Sequence, residues 1–185
     1  MEGRFDITNL GAILFAKDIS LFPSIARKSV RVVRYIGNDK TSSEDEVEGR
    51  RGYAVGFKGL INHIMKNLPR EERFPSGIRE VHHTYPEIAV REILANALIH
   101  QDFTIAGAAP IVEIYRDRIE VTNPGSSLID VDRIIDDRRS RNEKLAATMR
   151  ALNICEERGG GIDKAVISIH CCPVNHRINS IGYNL

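Results

Sequence analysis

Glu92, Asn96 and His100 stand at four-residue intervals, so on a helix turning about 100° per residue they form one polar line. The segment that carries them, Pro86 to His100, is otherwise apolar on nearly every side. Val90, Ile93, Leu94, Ala97 and Leu98 make one broad face, and Ile88, Ala95 and Ile99 fill much of the rest. The spacing therefore predicts a helix buried nearly all round. A carboxylate, an amide and an imidazole in a buried row each need a partner, or each costs about 1–3 kcal/mol. Two arrangements satisfy them. In one, the line faces a ligand cavity, where Asn96 coordinates a hard cation and Glu92 polarises a water. In the other, neighbouring arginines or backbone donors close a structural network.

Two glycine turns follow. Asn123-Pro124-Gly125 comes after an alternating strand; it reads as a plain type I or II turn, or as a strand end where glycine lets a flat ring approach and Asn123 bonds its edge. Gly159-Gly160-Gly161 precedes a helical run and is either another turn or a cradle of backbone N–H groups for an anion. Arg138, Arg139 and Arg141 lie around a helix N-terminus, where cations oppose the dipole; they form a solvated face or meet a phosphate or partner. No G-x-x-x-x-G-K-[ST] run occurs, which excludes a P-loop motor within this chain. His170, Cys171, Cys172 and His176 do not have zinc spacing, since adjacent cysteines rarely ligate one tetrahedral ion.

Several elements must position these residues. Ser29 to Ile36, rich in β-branched residues with interspersed arginines, predicts a strand with one wet face; Arg27, Lys28, Arg31 and Arg34 there make a candidate nucleic-acid surface. Thr41 to Glu48 reads as a solvated acidic loop, Phe57 to Leu68 as a helix ended by Pro69, and Pro69 to Gly77 as a connector. Ile111 to Arg116 and Arg118 to Thr122 predict an antiparallel pair turning at Asp117, with Ile119 and Val121 on one face. A helix is expected from Ser140, with Glu143 completing a capping box and Leu145, Met149 and Leu152 as its apolar stripe. The final residues show no clear period.

The chain has 185 residues, 42% of them hydrophobic, enough for one domain or a domain plus a subdomain. Its 26 Lys+Arg and 25 Asp+Glu leave a net charge of +1, which argues against a histone-like phosphate coat or a polybasic membrane binder. Three cysteines cannot make a disulfide framework. The apolar stretch Leu10 to Ala16 is too short to span a bilayer and lacks a basic segment before it, so a cytoplasmic location with no membrane partner is expected.

The segment YPEIAVREILANALIHQDF, followed in order by IVEIYRDRIEVTNPGS, SRNEKLAATMRALNI and EERGGGIDK, resembles the C-terminal domain of the RecG-like "ATP-dependent DNA helicase-related" regulators. FDITNLGAILFAKDISLFPSIARKSVRVVRYIGNDKT looks like the stretch joining that domain to a preceding AlbA/Schlafen-like DNA-binding module, which the 185 residues are expected to lack. The domain is in turn similar to the GHKL ATP-binding fold of gyrase, MutL, heat-shock chaperones and histidine kinases. The resemblance implies ATP and Mg²⁺ as cofactors. Glu92 then matches the water-activating glutamate and Asn96 the Mg²⁺ ligand, with His100 ending the nucleotide-binding line. Asn123 and Gly125 fall where an adenine-contacting Asp and its glycine stand, Gly159, Gly160 and Gly161 match a phosphate-receiving glycine box, and about Ser126 to Ile154 would be a lid. Asn123 in place of Asp is neutral and bonds more weakly, and Gln101 replaces an arginine common in the relatives, removing one phosphate contact.

The expected fold is therefore α+β: a Bergerat-like two-layer sandwich of a mixed or antiparallel sheet on helices, preceded by a smaller α/β segment. Residues 1–70 would be the joining segment, 78–170 the nucleotide-binding domain and 171–185 an irregular tail. The expected function is an ATP-binding domain, at most a weak Mg²⁺-dependent ATPase, of a DNA-associated transcriptional regulator acting as a homodimer. The alternative is a degenerate, non-enzymatic dimerisation or docking module.

Overall fold

A computed structural model describes residues 6–125 and 140–155. The chain opens with helix α1 (Asn9–Phe15), whose first turn is capped by Thr8 Oγ1 accepting from the Gly11 amide at 3.1 Å. Strands β1 (Val30–Tyr35) and β2 (Ser43–Gly49) follow, then helix α2 (Tyr53–Asn67). A short hairpin, β3 (Arg70–Arg73) and β4 (Glu80–His83), leads into α3 (Glu87–His100), and β5 (Ile111–Ile114), β6 (Ile119–Thr122) and α4 (Glu143–Ala151) complete the order. The fold is α+β, as expected. Among the described residues no helix is long and apolar enough to cross a membrane.

The main sheet has the order β2-β1-β5-β6. β1 runs antiparallel to β2 and parallel to β5, and β5 runs antiparallel to β6, so the sheet is mixed. The alternation in β1, β5 and β6 sends Val30, Val32, Val112, Ile114, Ile119 and Val121 inward, where they join Phe57, Ile61 and Ile64 of α2 and Leu94 and Leu98 of α3 in one core. Leu94 and Leu98 are each 1% exposed, a burial worth about 2 kcal/mol apiece. On the opposite face Glu113 is also buried. Lys40 Nζ stands 2.7 Å from its carboxylate, the Tyr35 hydroxyl donates to it at 3.0 Å, and the Tyr35 and Tyr115 rings stack at 4.9 Å. The pairing neutralises what would otherwise be a costly buried charge.

Three expectations need correction. The acidic run at 41–48 is not a loop: β2 pairs with β1 from Val30↔Gly49 to Tyr35↔Ser43, although its side chains stay largely exposed. Period-2 patterning is invisible where both faces are wet, and the arginines of β1 supply the missing reason to pair. Arg31 Nε donates to Glu46 at 2.9 Å and Arg34 lies 3.3 Å from Glu44. Arg31 and Arg34 thus face carboxylates of β2 while their side chains stay 46% and 40% exposed, whereas Lys28 is buried and stands apart from the basic strand face expected for it. The stretch after Pro69 is likewise no simple connector, because it forms β3, paired to β4.

The last helix begins three residues later than its capping signal suggested. Asn142 is its N-cap, and Ser140 Oγ accepts from the Asn142 amide instead of closing a capping box. Leu145 and Met149 are buried, but Leu152 is 45% exposed. Asn153 adopts φ 55°, its amide bonds Arg150 O at 2.9 Å, and the Ile154 amide bonds Met149 O at 3.0 Å. This Schellman arrangement turns the chain sharply, burying Ile154 in place of Leu152.

At the start of α2, Gly52 packs on the end of α1. A Cβ there would lie 2.6 Å from the Leu14 carbonyl carbon and oxygen and 2.7 Å from the Phe15 nitrogen, while its amide donates to Ala16 O at 2.8 Å. Backbone cannot rotate away as a side chain can. Gly52→Ala is therefore expected to lower stability by ~1–3 kcal/mol in urea denaturation. Gly59→Ala, inside the same helix with nothing within 4 Å, is expected to raise it by ~0.5–1 kcal/mol.

Candidate functional site

Helix α3 starts after Pro86, whose ring suits a helix entry, and carries Glu87 in its positively polarised first turn. Its polar line is graded: Glu92 is buried at 6% exposure, while Asn96 and His100 are half-buried. The helix is not buried all round, for Ile88 at its start is 42% exposed. Glu92 has partners of its own and lies close enough to Cys155 to push that thiol's pKa up, an effect second to burial itself. At the other end, burial and then the Arg141 guanidinium hold the His100 imidazole below its ordinary pKa, so it is neutral at pH 7. Arg141 precedes α4 and Cys155 follows it. Helix α4 thus runs antiparallel beside the line, and the Schellman turn is what returns Cys155 to Glu92.

The Asn123-Pro124-Gly125 turn is brought to the C-terminal end of α3. The Asp102 amide donates to Pro124 O at 2.7 Å. Gly125 has φ 115°, and a Cβ there would sit 2.6 Å from Arg141 Nη1 and 2.8 Å from Asp102 Cβ. Glycine is required by this close approach of an ion pair, Arg141 Nη1 to Asp102 Oδ2 at 3.1 Å, as well as by the backbone conformation. Asn123 is buried at 7% exposure. Among the described residues neither Asn96 nor Asn123 makes a side-chain hydrogen bond.

Gln101 does something other than the sequence suggested. It is fully buried, its Nε2 donating to the Tyr53 hydroxyl at 2.9 Å and to Leu98 O at 3.0 Å. Position 101 therefore points under α2 and into the core, and its glutamine is a packing choice, not a lost phosphate contact. Several residues with no periodic signal in the sequence complete the arrangement. Asn142 Nδ2 donates to Ile99 O and Gln101 O, both at 2.7 Å, closing the last carbonyls of α3. Lys28, 3% exposed, donates to Ile105 O at 2.8 Å and Asp102 O at 3.3 Å. The only hint of these in the sequence was the polar His-Gln-Asp run that ends α3.

The structure thus gathers Glu92, Asn96, His100, Asn123 and Gly125 around α3 and its C-terminal end. Gly159, Gly160 and Gly161, together with Arg138, Arg139 and the His170–His176 cluster, lie outside the described residues.

The His100 environment has a pH consequence. Its folded-state pKa lies below the unfolded value of about 6.5, so under acid the unfolded chain takes up a proton that the native state resists. Stability contributed by neutral His100 is complete above pH ~6.5 and falls as pH drops below it. His100→Gln is expected to flatten that acid-side loss in thermal midpoints measured from pH 5 to 8.

Residues 107–171 match the family model described as "Putative ATP-dependent DNA helicase recG C-terminal". Among solved structures the chain is similar to the DIP2311 protein from Corynebacterium diphtheriae, with a TM-score of 0.67 and 20% identity over 84% of this chain and 34% of that one. That likeness concerns the fold, and this chain spans about a third of that protein's length. No curated protein matches the chain. The matched residues carry β5, β6, the Asn123 turn and α4, and over that segment the chain is similar to the RecG C-terminal family.

Proposed function

We propose that this chain is a nucleotide-binding domain of the GHKL type that takes ATP, working within a RecG-helicase-related, DNA-associated transcriptional regulator. The observation that carries the reading is the pair of amides on adjoining elements, half-buried Asn96 on α3 and buried Asn123 after β6, whose side chains bond no described residue. The name of the family matched over residues 107–171 supports it. In this reading the Asn123 amide meets the adenine edge, with a neutral and hence weaker bond than a carboxylate would make. The glycines at 159–161 receive phosphates through their backbone N–H groups. His100, being neutral, serves as a hydrogen-bonding partner and not as a countercharge.

The residues present suit Mg²⁺. Among the described residues no group of three or more His, Cys, Asp or Glu is gathered as a cage. Mg²⁺ needs none, since it commonly takes one or two protein oxygens and completes its shell with phosphate and water. Asn96 Oδ1 is the donor that would hold it, and the ion when bound would offset phosphate charge. Glu92, one turn before Asn96, is the group that orients and deprotonates an attacking water. Association with DNA belongs, in this proposal, mainly to an AlbA/Schlafen-like module of the kind the resemblance implies. A homodimer is the expected assembly, and sedimentation velocity checks it.

Isothermal titration with ATP is expected to give saturable heat that weakens without Mg²⁺; no heat in either condition removes the reading. Asn96→Ala should abolish the Mg²⁺ dependence. Glu92→Gln should leave ATP affinity within about twofold while lowering any steady-state turnover by ~100-fold or more. A stable dimer with neither ATP heat nor turnover in the unmodified protein would identify the alternative, a non-enzymatic dimerisation or docking module.

A further inference from the structure

We propose that Asp102 is the positioning residue that seats the Asn123-Pro124-Gly125 turn against the end of α3, held in place by Lys28 on one side and Arg141 on the other. The proposal rests on the nucleotide-binding reading above and names the residues that set its adenine end. Asp102 is hydrogen-bonded to all three segments. Its amide donates to Pro124 O at 2.7 Å, its Oδ2 accepts from Arg141 at 3.1 Å, and its carbonyl accepts from Lys28 Nζ at 3.3 Å. Oδ1 is occupied by the Thr104 amide at 2.8 Å and hydroxyl at 2.6 Å, which fixes the carboxylate's rotamer.

Lys28 is 3% exposed, and an ammonium so buried must be surrounded by acceptors. It finds the Asp102 and Ile105 carbonyls, which lie past the end of α3 and lack helical donors, and it stands 5.6 Å from the Phe103 ring centroid. Its own backbone is anchored by the Tyr53 hydroxyl, donating to Lys28 O at 2.7 Å. Gly125 leaves no slack on the far side, because an added Cβ would already overlap Asp102 and Arg141. A movement of Asp102 therefore moves the turn that carries Asn123. A residue just ahead of β1 thereby bears on the site formed after β6.

The test measures Kd for ATP and for GTP on the unmodified protein, Asp102→Asn, Lys28→Met, Asn123→Ala and the two double variants carrying Asn123→Ala. Each of Asp102→Asn and Lys28→Met is expected to weaken ATP by roughly tenfold and GTP far less, lowering the ATP-over-GTP ratio, while the Mg²⁺ dependence set by Asn96 persists. In the Asn123→Ala background neither change should cost more than about twofold. Equal losses for both nucleotides, or losses that add to that of Asn123→Ala, would overturn the proposal. If Lys28→Met does not fold, the conservative Lys28→Arg and Asp102→Asn carry the same comparison. Should the unmodified protein bind no ATP, the parent reading fails, and the linkage is judged from amide chemical shifts. Displacement of the Asn123 and Gly125 signals in Lys28→Met, with Gly59 unmoved, sustains it, and unmoved Asn123 and Gly125 signals sink it.

Discussion

The constraint on which the site depends is the ending of α3. A helix leaves its last carbonyls without partners, and when that end is inside the protein they must be met by something brought from elsewhere. Here two segments distant in sequence supply donors to those carbonyls and two more tie down the residues around them. Asn142 bonds Ile99 O and Gln101 O, Tyr53 receives Gln101, Lys28 bonds Asp102 O and Ile105 O, and Asp102 itself ties down the turn after β6. The polar line Glu92–Asn96–His100 is in place because this end cannot be rotated without breaking several charge-assisted bonds at once.

The same economy governs the sheet. β1 and β5 pair in parallel, which joins the N-terminal strands to the hairpin that leads into the Asn123 turn. β2 is kept at the edge by charge more than by burial. Exposed pairs such as Arg31–Glu46 contribute little each, typically under about 1 kcal/mol, but a row of carboxylates also discourages further strands from adding to that edge.

Two departures from the ATPase pattern turn out to differ in kind. Gln101 is an interior residue serving α2–α3 packing, so its difference from arginine does not bear on phosphate. Asn123 is different, since it stands at the strand end with its amide unbonded to any described residue. Its neutrality bears directly on how strongly a ring edge would be held.

The amphipathic and alternating patterns were legible in the residues themselves. The helices around Phe57–Leu68 and Pro86–His100 and the strands at 29–36 and 111–122 follow from apolar periodicity, which depends only on local backbone geometry. The Glu92–Asn96–His100 line follows from the same periodicity. β2 escaped because an edge strand wet on both faces carries no such period, and the start of α4 was misplaced because Ser140 Oγ accepts from the Asn142 amide and not from that of Glu143. Nor could the residues say that position 101 faces inward, that Lys28 is buried, or that Asp102 meets both Arg141 and the turn at Pro124. Those are contacts between segments about 20 to 75 residues apart, and only the packing of helices on a finished sheet brings them within hydrogen-bonding reach.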